Sequence, residues 1–223
     1  MGTLLPLPRA LAHFRPRVPG LGFAVASVHE GPPPAVRAAE RELAEGMEPY
    51  RRADFLIGRS ALHRALRAAG LNAGAVLFDG PRPRLPAGIA ASISHSDGVA
   101  VAVAGPAGRF RSVGVDLELT ELPAAAAHLV LAGPEAGLLR GPAGPRAAGE
   151  RLRVLYSAKE AAFKALSPVL GPELRGLRDL RLQPWADGYL AHAEQRPGLR
   201  VPVSVRRLPQ GVLCWAVLAG PDA

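Results

Sequence analysis

A helix-length segment followed by strand-length apolar runs occurs twice in this sequence, once in each half, and that recurrence limits the fold more than any other feature. The first helical pattern covers 49–69, with Phe55, Leu62, Leu66 and Ala69 on one side and Gly70 as its stop. Two β-type runs follow, IAASISHS and GVAVAVAG, around a polar tip at 94–97, and then a third, RSVGVDLEL. The second helix reads over 151–166, free of internal glycine and proline and stopped by Pro168. After it come RVPVSVRRL and GVLCWAVLAG, two strand candidates parted by a Pro-Gln-Gly turn. LGFAVASV at 21–28 is a further strand, GPRPRLPAG at 80–88 is a turn-rich loop, and 131–149, rich in Gly, Pro and Ala, reads as an irregular connection. The pattern predicts an α+β protein of two similar lobes, 1–111 and 112–223, although no residue-level repeat is visible.

The 223 residues are 48% hydrophobic, enough for a sizeable core, and no apolar run approaches the roughly 20 residues that span a bilayer. The first twenty residues are interrupted by prolines and arginines and form no secretory h-region, and Cys214 is the lone cysteine, so a cytoplasmic location is expected. A formal charge of +8 and a pI near 10.8 favour acidic partners. The basic residues are dispersed, no nucleic-acid-binding signature occurs and aromatics are only 5%, so neither nucleic acid nor a membrane is the expected partner. Among the 27 basic residues only Lys159 and Lys164 are lysines, and both lie in YSAKEAAFKAL. A lysine is a compact point charge and an arginine a planar fork, so this choice marks the segment as one that handles phosphate.

Three segments carry chemistry. In VGVDLEL, Asp116 and Glu118 stand two apart on a strand and project from one face. Such a pair is costly to bury, and either a hard divalent cation or a solvated edge strand answers the repulsion. In YSAKEAAFKAL, Glu160 and Lys164 stand four apart, the spacing of a surface ion pair and equally of a ligand and a cation for a metal-bound pyrophosphate. SISHS puts Ser94, His95 and Ser96 at a strand tip, where the histidine can be a phosphate donor, a base or a loop residue. A serine hydrolase built from Ser94 or Ser96, His95 and Asp97 is disfavoured, because neighbouring side chains of a strand point apart and no G-x-S-x-G elbow exists. On the first helix, Arg52 and Arg59 are seven apart and share a face.

In this order, SISHS at 92–96, GVDLE at 114–118 and YSAKEAAFKA at 156–165 resemble the motifs of the phosphopantetheinyl transferases of the surfactin/enterobactin class, and RRADFLIGR at 51–59 resembles that family's arginine-bearing helix. Tyr156 stands where Trp or Phe is commoner, and GPRPRLP has Leu85 in place of a frequent tryptophan, which leaves open whether Arg82 or Arg84 takes the nucleotide contact. The resemblance implies a pseudo-twofold pair of α+β lobes with the active site in the cleft between them, the first lobe taking the nucleotide and the second the metal. It implies transfer of 4'-phosphopantetheine from coenzyme A to a serine of an acyl or peptidyl carrier protein, releasing adenosine 3',5'-bisphosphate, with magnesium, or manganese, held by Asp116, Glu118 and Glu160. By the same resemblance Ser94 and His95 contact the phosphates, Lys159 and Lys164 neutralise the transferring group, and Arg51 or Arg52, Arg59 and Arg82 hold the nucleotide. Glu160 is the favoured base. A complete cleft within one chain implies a monomer.

Overall fold

The computed structural model describes residues 11, 13–31, 36–79, 82–140 and 144–222, without the side chains of 79, 82, 144 and 145, and its chain forms two units. One comprises the residues up to Arg111 and those from Gly220 on, the other Ser112–Ala219. Both are mixed helix and sheet, and the protein is of the α+β class.

In the first unit, β1 (Gly22–Ser27), β5 (Val99–Pro106) and β4 (Ile89–Ser96) form an antiparallel sheet in the order β1-β5-β4. Asp97 and Gly98 both adopt positive φ, which lets an Asp-Gly turn close the β4–β5 hairpin with the twist its strands require. Helix α1 (Ala38–Glu45) precedes the long α2 (Pro49–Ala68). Pro49 suits the first turn of α2, where an N–H would lack an acceptor, and Gly70 takes the left-handed conformation just past its end. Ile57, Ala61, Leu62, Ala65 and Leu66 of α2 bury against Ala26 of β1 and the alanine row Ala100, Ala102 and Ala104 of β5. These small residues let helix and sheet approach closely. At Gly22 the approach is complete, because a Cβ there would collide with the Ala65 carbonyl. The short strands β2 (Phe78–Asp79) and β3 (Arg82–Pro83) pair as a ribbon.

The second unit is a five-stranded sheet in the order β6-β10-β9-β8-β7, from β6 (Phe110–Glu118), β7 (Leu180–Trp185), β8 (Gly188–Ala193), β9 (Arg196–Leu208) and β10 (Gly211–Ala219). After the single turn α3 (Ala127–Val130), helix α4 (Gly144–Leu170) crosses this sheet, placing Ala158, Ala161, Ala162, Ala165 and Leu166 in one core with Val201, Val203, Val212, Cys214 and Ala216. Gly114 of β6 repeats the role of Gly22, since a Cβ there would strike the Ala161 carbonyl.

Three expectations are corrected. Helix α4 begins at Gly144 and continues through Pro168 to Leu170, because a proline in the last turn breaks little of the helical ladder. The 131–149 stretch is not irregular among its described residues: it holds 3-10 turns over Gly133–Leu139 and the start of α4. Strands β7 and β8 and helix α1 were not foreseen. Pro184 disguises β7, which tolerates it as the edge strand of its sheet.

Candidate active site

Asp116 and Glu118 lie on β6, and α4 brings Tyr156, Glu160 and Lys164 to them. The spacing of four between Glu160 and Lys164 sets both on the helix face that meets β6. Lys164 Nζ donates to Asp116 Oδ1 at 2.8 Å and to the Val115 carbonyl at 3.1 Å. Asp116 is 5% exposed, and Glu118 accepts the Thr120 amide at 2.8 Å. Burial holds the Glu160 carboxyl above the usual range; Lys164 opposes that shift, and the charges of Asp116 and Glu118 add to it. The Tyr156 phenol, buried beside the same three carboxylates, is pushed up to about 12. The three acids predicted from sequence therefore feel one another's charge across strand and helix.

Among the described residues no three His, Cys, Asp or Glu side chains stand as a group that could hold a metal ion as they are. The donor set nevertheless fits a hard divalent cation: three carboxylates within electrostatic reach of one another, one of them raised by burial and then by the charges of the other two, with the Lys164 ammonium opposing. A cation here would offset both the burial of the Glu160 charge and its repulsion by Asp116 and Glu118.

Lys159 is elsewhere. Its ammonium is fully buried, pairs with Glu135 at 2.5 Å and donates to the carbonyls of Val130, Leu177 and Leu180 at 2.9–3.1 Å. Burial pulls its pKa down, and the Glu135 carboxylate opposes that pull. The expectation that Lys159 meets a transferring phosphate is therefore corrected: its donors are consumed inside the second unit. The physical reason is helical geometry, because residues five apart lie roughly 140° apart around the axis, so Lys159 and Lys164 cannot serve one point.

The first unit carries a cavity of about 690 Å³ lined by Arg51, Asp54, Phe55, Gly58 and Arg59 of α2, by Phe78 and by His95. The α2 residues recur at helical spacing on one face, and His95 lies on the face of β4 that α2 covers. His95 Nδ1 is 3.5 Å from Asp54 Oδ2. Arg59 donates from Nε to the Val76 carbonyl at 2.6 Å, and its guanidinium lies 4.5 Å from the Phe55 ring and 5.3 Å from that of Phe78. Burial lowers its pKa to about 10, still charged at neutral pH. Of the two arginines left open, Arg51 faces the cavity; Arg52 is spent on the carbonyls of Ala44, Glu45 and Met47, where it caps the end of α1. Ser94 is buried, and strand alternation turns its side chain to the face of β4 opposite His95. The side chain of Arg82 lies outside the described residues.

Asp54 and Phe78 were not singled out in the sequence, and Phe55 was read only as part of the apolar side of its helix. Asp54 was within reach, one turn from Arg51 on the same helical face, whereas Phe78 had no sequence signal. Buried Glu135 and Glu40 were missed as well, the former in a stretch that reads as irregular.

No curated protein matches the chain. Residues 39–105 match the family model of the 4'-phosphopantetheinyl transferase N-terminal domain, which takes in α2 and the cavity, and residues 112–208 match that of the 4'-phosphopantetheinyl transferase superfamily, which takes in the carboxylates and α4. With both models matched in order over most of its length, the chain belongs to the 4'-phosphopantetheinyl transferase superfamily and is a transferase.

Proposed function

We propose that this protein, as a member of the surfactin/enterobactin class, transfers 4'-phosphopantetheine from coenzyme A to a serine of an acyl or peptidyl carrier protein, giving holo-carrier and adenosine 3',5'-bisphosphate. The observation that carries the reading is the meeting of Glu160 with Asp116 and Glu118, which leaves three acids in need of a divalent cation. Magnesium or manganese, held by these three side chains, would supply the positive charge that a pyrophosphate needs when one of its bonds breaks. Lys164 neutralises the non-bridging oxygens of the transferring phosphoryl group. Arg51, Arg59 and His95 hold the anionic nucleotide half of coenzyme A, and the Phe55 and Phe78 rings that flank Arg59 give the cavity an apolar wall.

In the reaction the serine Oγ bonds to the β-phosphorus, and the bond from that phosphorus to the oxygen bridging to the α-phosphate breaks. The electron pair leaves with adenosine 3',5'-bisphosphate, and the serine proton passes to Glu160. Positioning and charge neutralisation provide most of the rate.

The two units serve as nucleotide and metal halves, 1–111 and 112–223, and we read them as copies of one lobe related by a pseudo-twofold axis. What supports this is the recurrence of two devices: a strand glycine pressed on a helix carbonyl, and a buried glutamate bonded to a nitrogen side chain of the long helix, Glu40 to His63 and Glu135 to Lys159. The protein acts as a cytoplasmic monomer; among the described residues no helix is long and apolar enough to cross a membrane. The test is mass spectrometry of a panel of apo carrier proteins incubated with coenzyme A and magnesium. One carrier should gain a single phosphopantetheine, and a panel with no mass gain would sink the reading.

A further inference from the structure

Val76 is gripped from both sides. Its carbonyl accepts Arg59 Nε at 2.6 Å, and its amide donates to Glu40 Oε1 at 2.7 Å. The Leu77 carbonyl adds a longer bond to Arg59 Nη2 at 3.4 Å. Glu40 is fully buried, and its carboxylate also accepts His63 Nε2 at 2.9 and 3.0 Å and the Arg37 amide at 2.8 Å. Burial alone would raise the Glu40 pKa, but the bonds from His63, Arg37 and Val76 outweigh it, so the carboxylate stays ionised. His63, 2% exposed, sits one helical turn beyond Arg59 on α2. Thus one face of α2 holds the Val76 peptide twice: directly through Arg59, and through Glu40 by way of His63. Two residues further on is Phe78, whose ring flanks the Arg59 guanidinium.

Neither Glu40 nor His63 lines the cavity. A buried carboxylate bonded to an imidazole is a weak source of stability compared with apolar residues of similar volume, because desolvation offsets most of what the pair gains. What such a pair does well is fix geometry, and here the geometry it fixes is that of a cavity wall.

We propose that Glu40 and His63 are positioning residues for the nucleotide cavity: they clamp the Val76 segment, which sets the direction of the Arg59 guanidinium and seats Phe78 against it. This rests on the reading that the cavity takes the nucleotide half of coenzyme A. Arg59 has several rotatable bonds, so a guanidinium released from Val76 would lose its aim and its stacking at once. Anion affinity would fall while the chemistry at Glu160, in the other unit, proceeds unchanged.

The experiment compares wild type, His63→Leu, His63→Gln, Arg59→Met and the double variant His63→Leu/Arg59→Met. It measures calorimetric affinity for adenosine 3',5'-bisphosphate, KM for coenzyme A, kcat and the thermal midpoint, all well below the lowest midpoint. His63→Leu should weaken the nucleotide and raise KM about tenfold with kcat within about twofold, and in the Arg59→Met background it should add less than about twofold, as coupled residues do. His63→Gln, which keeps an N–H for Glu40, should recover most of the affinity. A lower midpoint with unchanged affinity would make the pair purely structural, and additive effects of His63→Leu and Arg59→Met would show another route; either overturns the proposal alone. Should His63→Leu not fold, Glu40→Gln is read by the same criteria. If wild type does not bind adenosine 3',5'-bisphosphate, or if Arg59→Met leaves its affinity unchanged, the cavity reading fails and the proposal goes with it.

Discussion

Glu160, partly buried, and Glu40, fully buried, are both acids of long-range networks, yet their surroundings push them in opposite directions. For Glu160, burial and the charges of Asp116 and Glu118 outweigh Lys164 and raise the pKa, so only between about 4.5 and the raised value does the folded state hold a proton that the unfolded chain has released. Its contribution to stability therefore falls as pH rises from about 4.5 through the raised value. Glu160→Gln should raise the metal-free melting midpoint at neutral pH by a few degrees while abolishing transfer. Magnesium should stabilise wild type and not the variant, as differential scanning fluorimetry would record; a lower midpoint without metal would refute the strained-acid account. Glu40, with a lowered pKa, has the contrary sign: its contribution is present above about 4.5 and is lost as pH falls through the folded value. The two lysines show how far single residues could be read. Their rarity marked the helix that meets Asp116 and Glu118, and the spacing of Glu160 and Lys164 agrees with the face they share there. The spacing of five, which sends Lys159 into the core, was equally visible and passed over. Its partner Glu135 could not be read, because a buried ion pair 24 residues apart leaves no local pattern. Lys159→Met should leave the Glu135 charge unpaired and cost about 3–5 kcal/mol in urea unfolding. The KM of the folded fraction for coenzyme A should not change, and a selective rise in it would restore Lys159 to the phosphate.

At the level of elements, the site depends on how closely β6 lies against α4. Gly114 sits two residues before Asp116, and a methyl group there would meet the Ala161 carbonyl, one residue after Glu160. Gly114→Ala must therefore part the strand that carries two acids from the helix that carries the third. The expected result is a loss of about 1–3 kcal/mol, typical of overpacking, together with a fall in metal-dependent transfer larger than the folded fraction explains. Gly137→Ala, which meets nothing within 4 Å, is the control. Both long helices were legible because each follows an apolar period and ends near a glycine or proline. The boundaries of α4 were less so, since tertiary packing of its alanine face carries the helix through Pro168. Strand β7 was illegible for the converse reason: an edge position excuses a proline that a central strand would reject.

For the whole molecule, a charge of +8 bears on the carrier more than on the fold. A concave patch of about 460 Å³ in the second unit is lined by Leu122 and Pro123 and by Arg146, Glu150 and Arg153 of the first turns of α4. It is our proposed seat for an acidic carrier protein. Arg151 cannot serve there as freely, because its Nε donates to the Leu139 carbonyl at 2.8 Å. Charge reversal of Arg146 and Arg153 should raise the KM for the carrier severalfold, flatten its dependence on salt and leave the KM for coenzyme A alone; unchanged carrier kinetics would move the seat elsewhere. If the halves descend from a single ancestral lobe, they once offered equivalent positions just after the helix residue that binds the buried glutamate, and these have since drifted to opposite signs. After Lys159 comes Glu160, turned toward Asp116 and Glu118. After His63 comes Arg64, bound to the Val25 carbonyl and to Glu30. The arginine carries within its own lobe a positive charge of the kind that, on the proposed function, a cation would bring to Glu160 beside Lys164, so that reading expects one divalent ion per chain and not two.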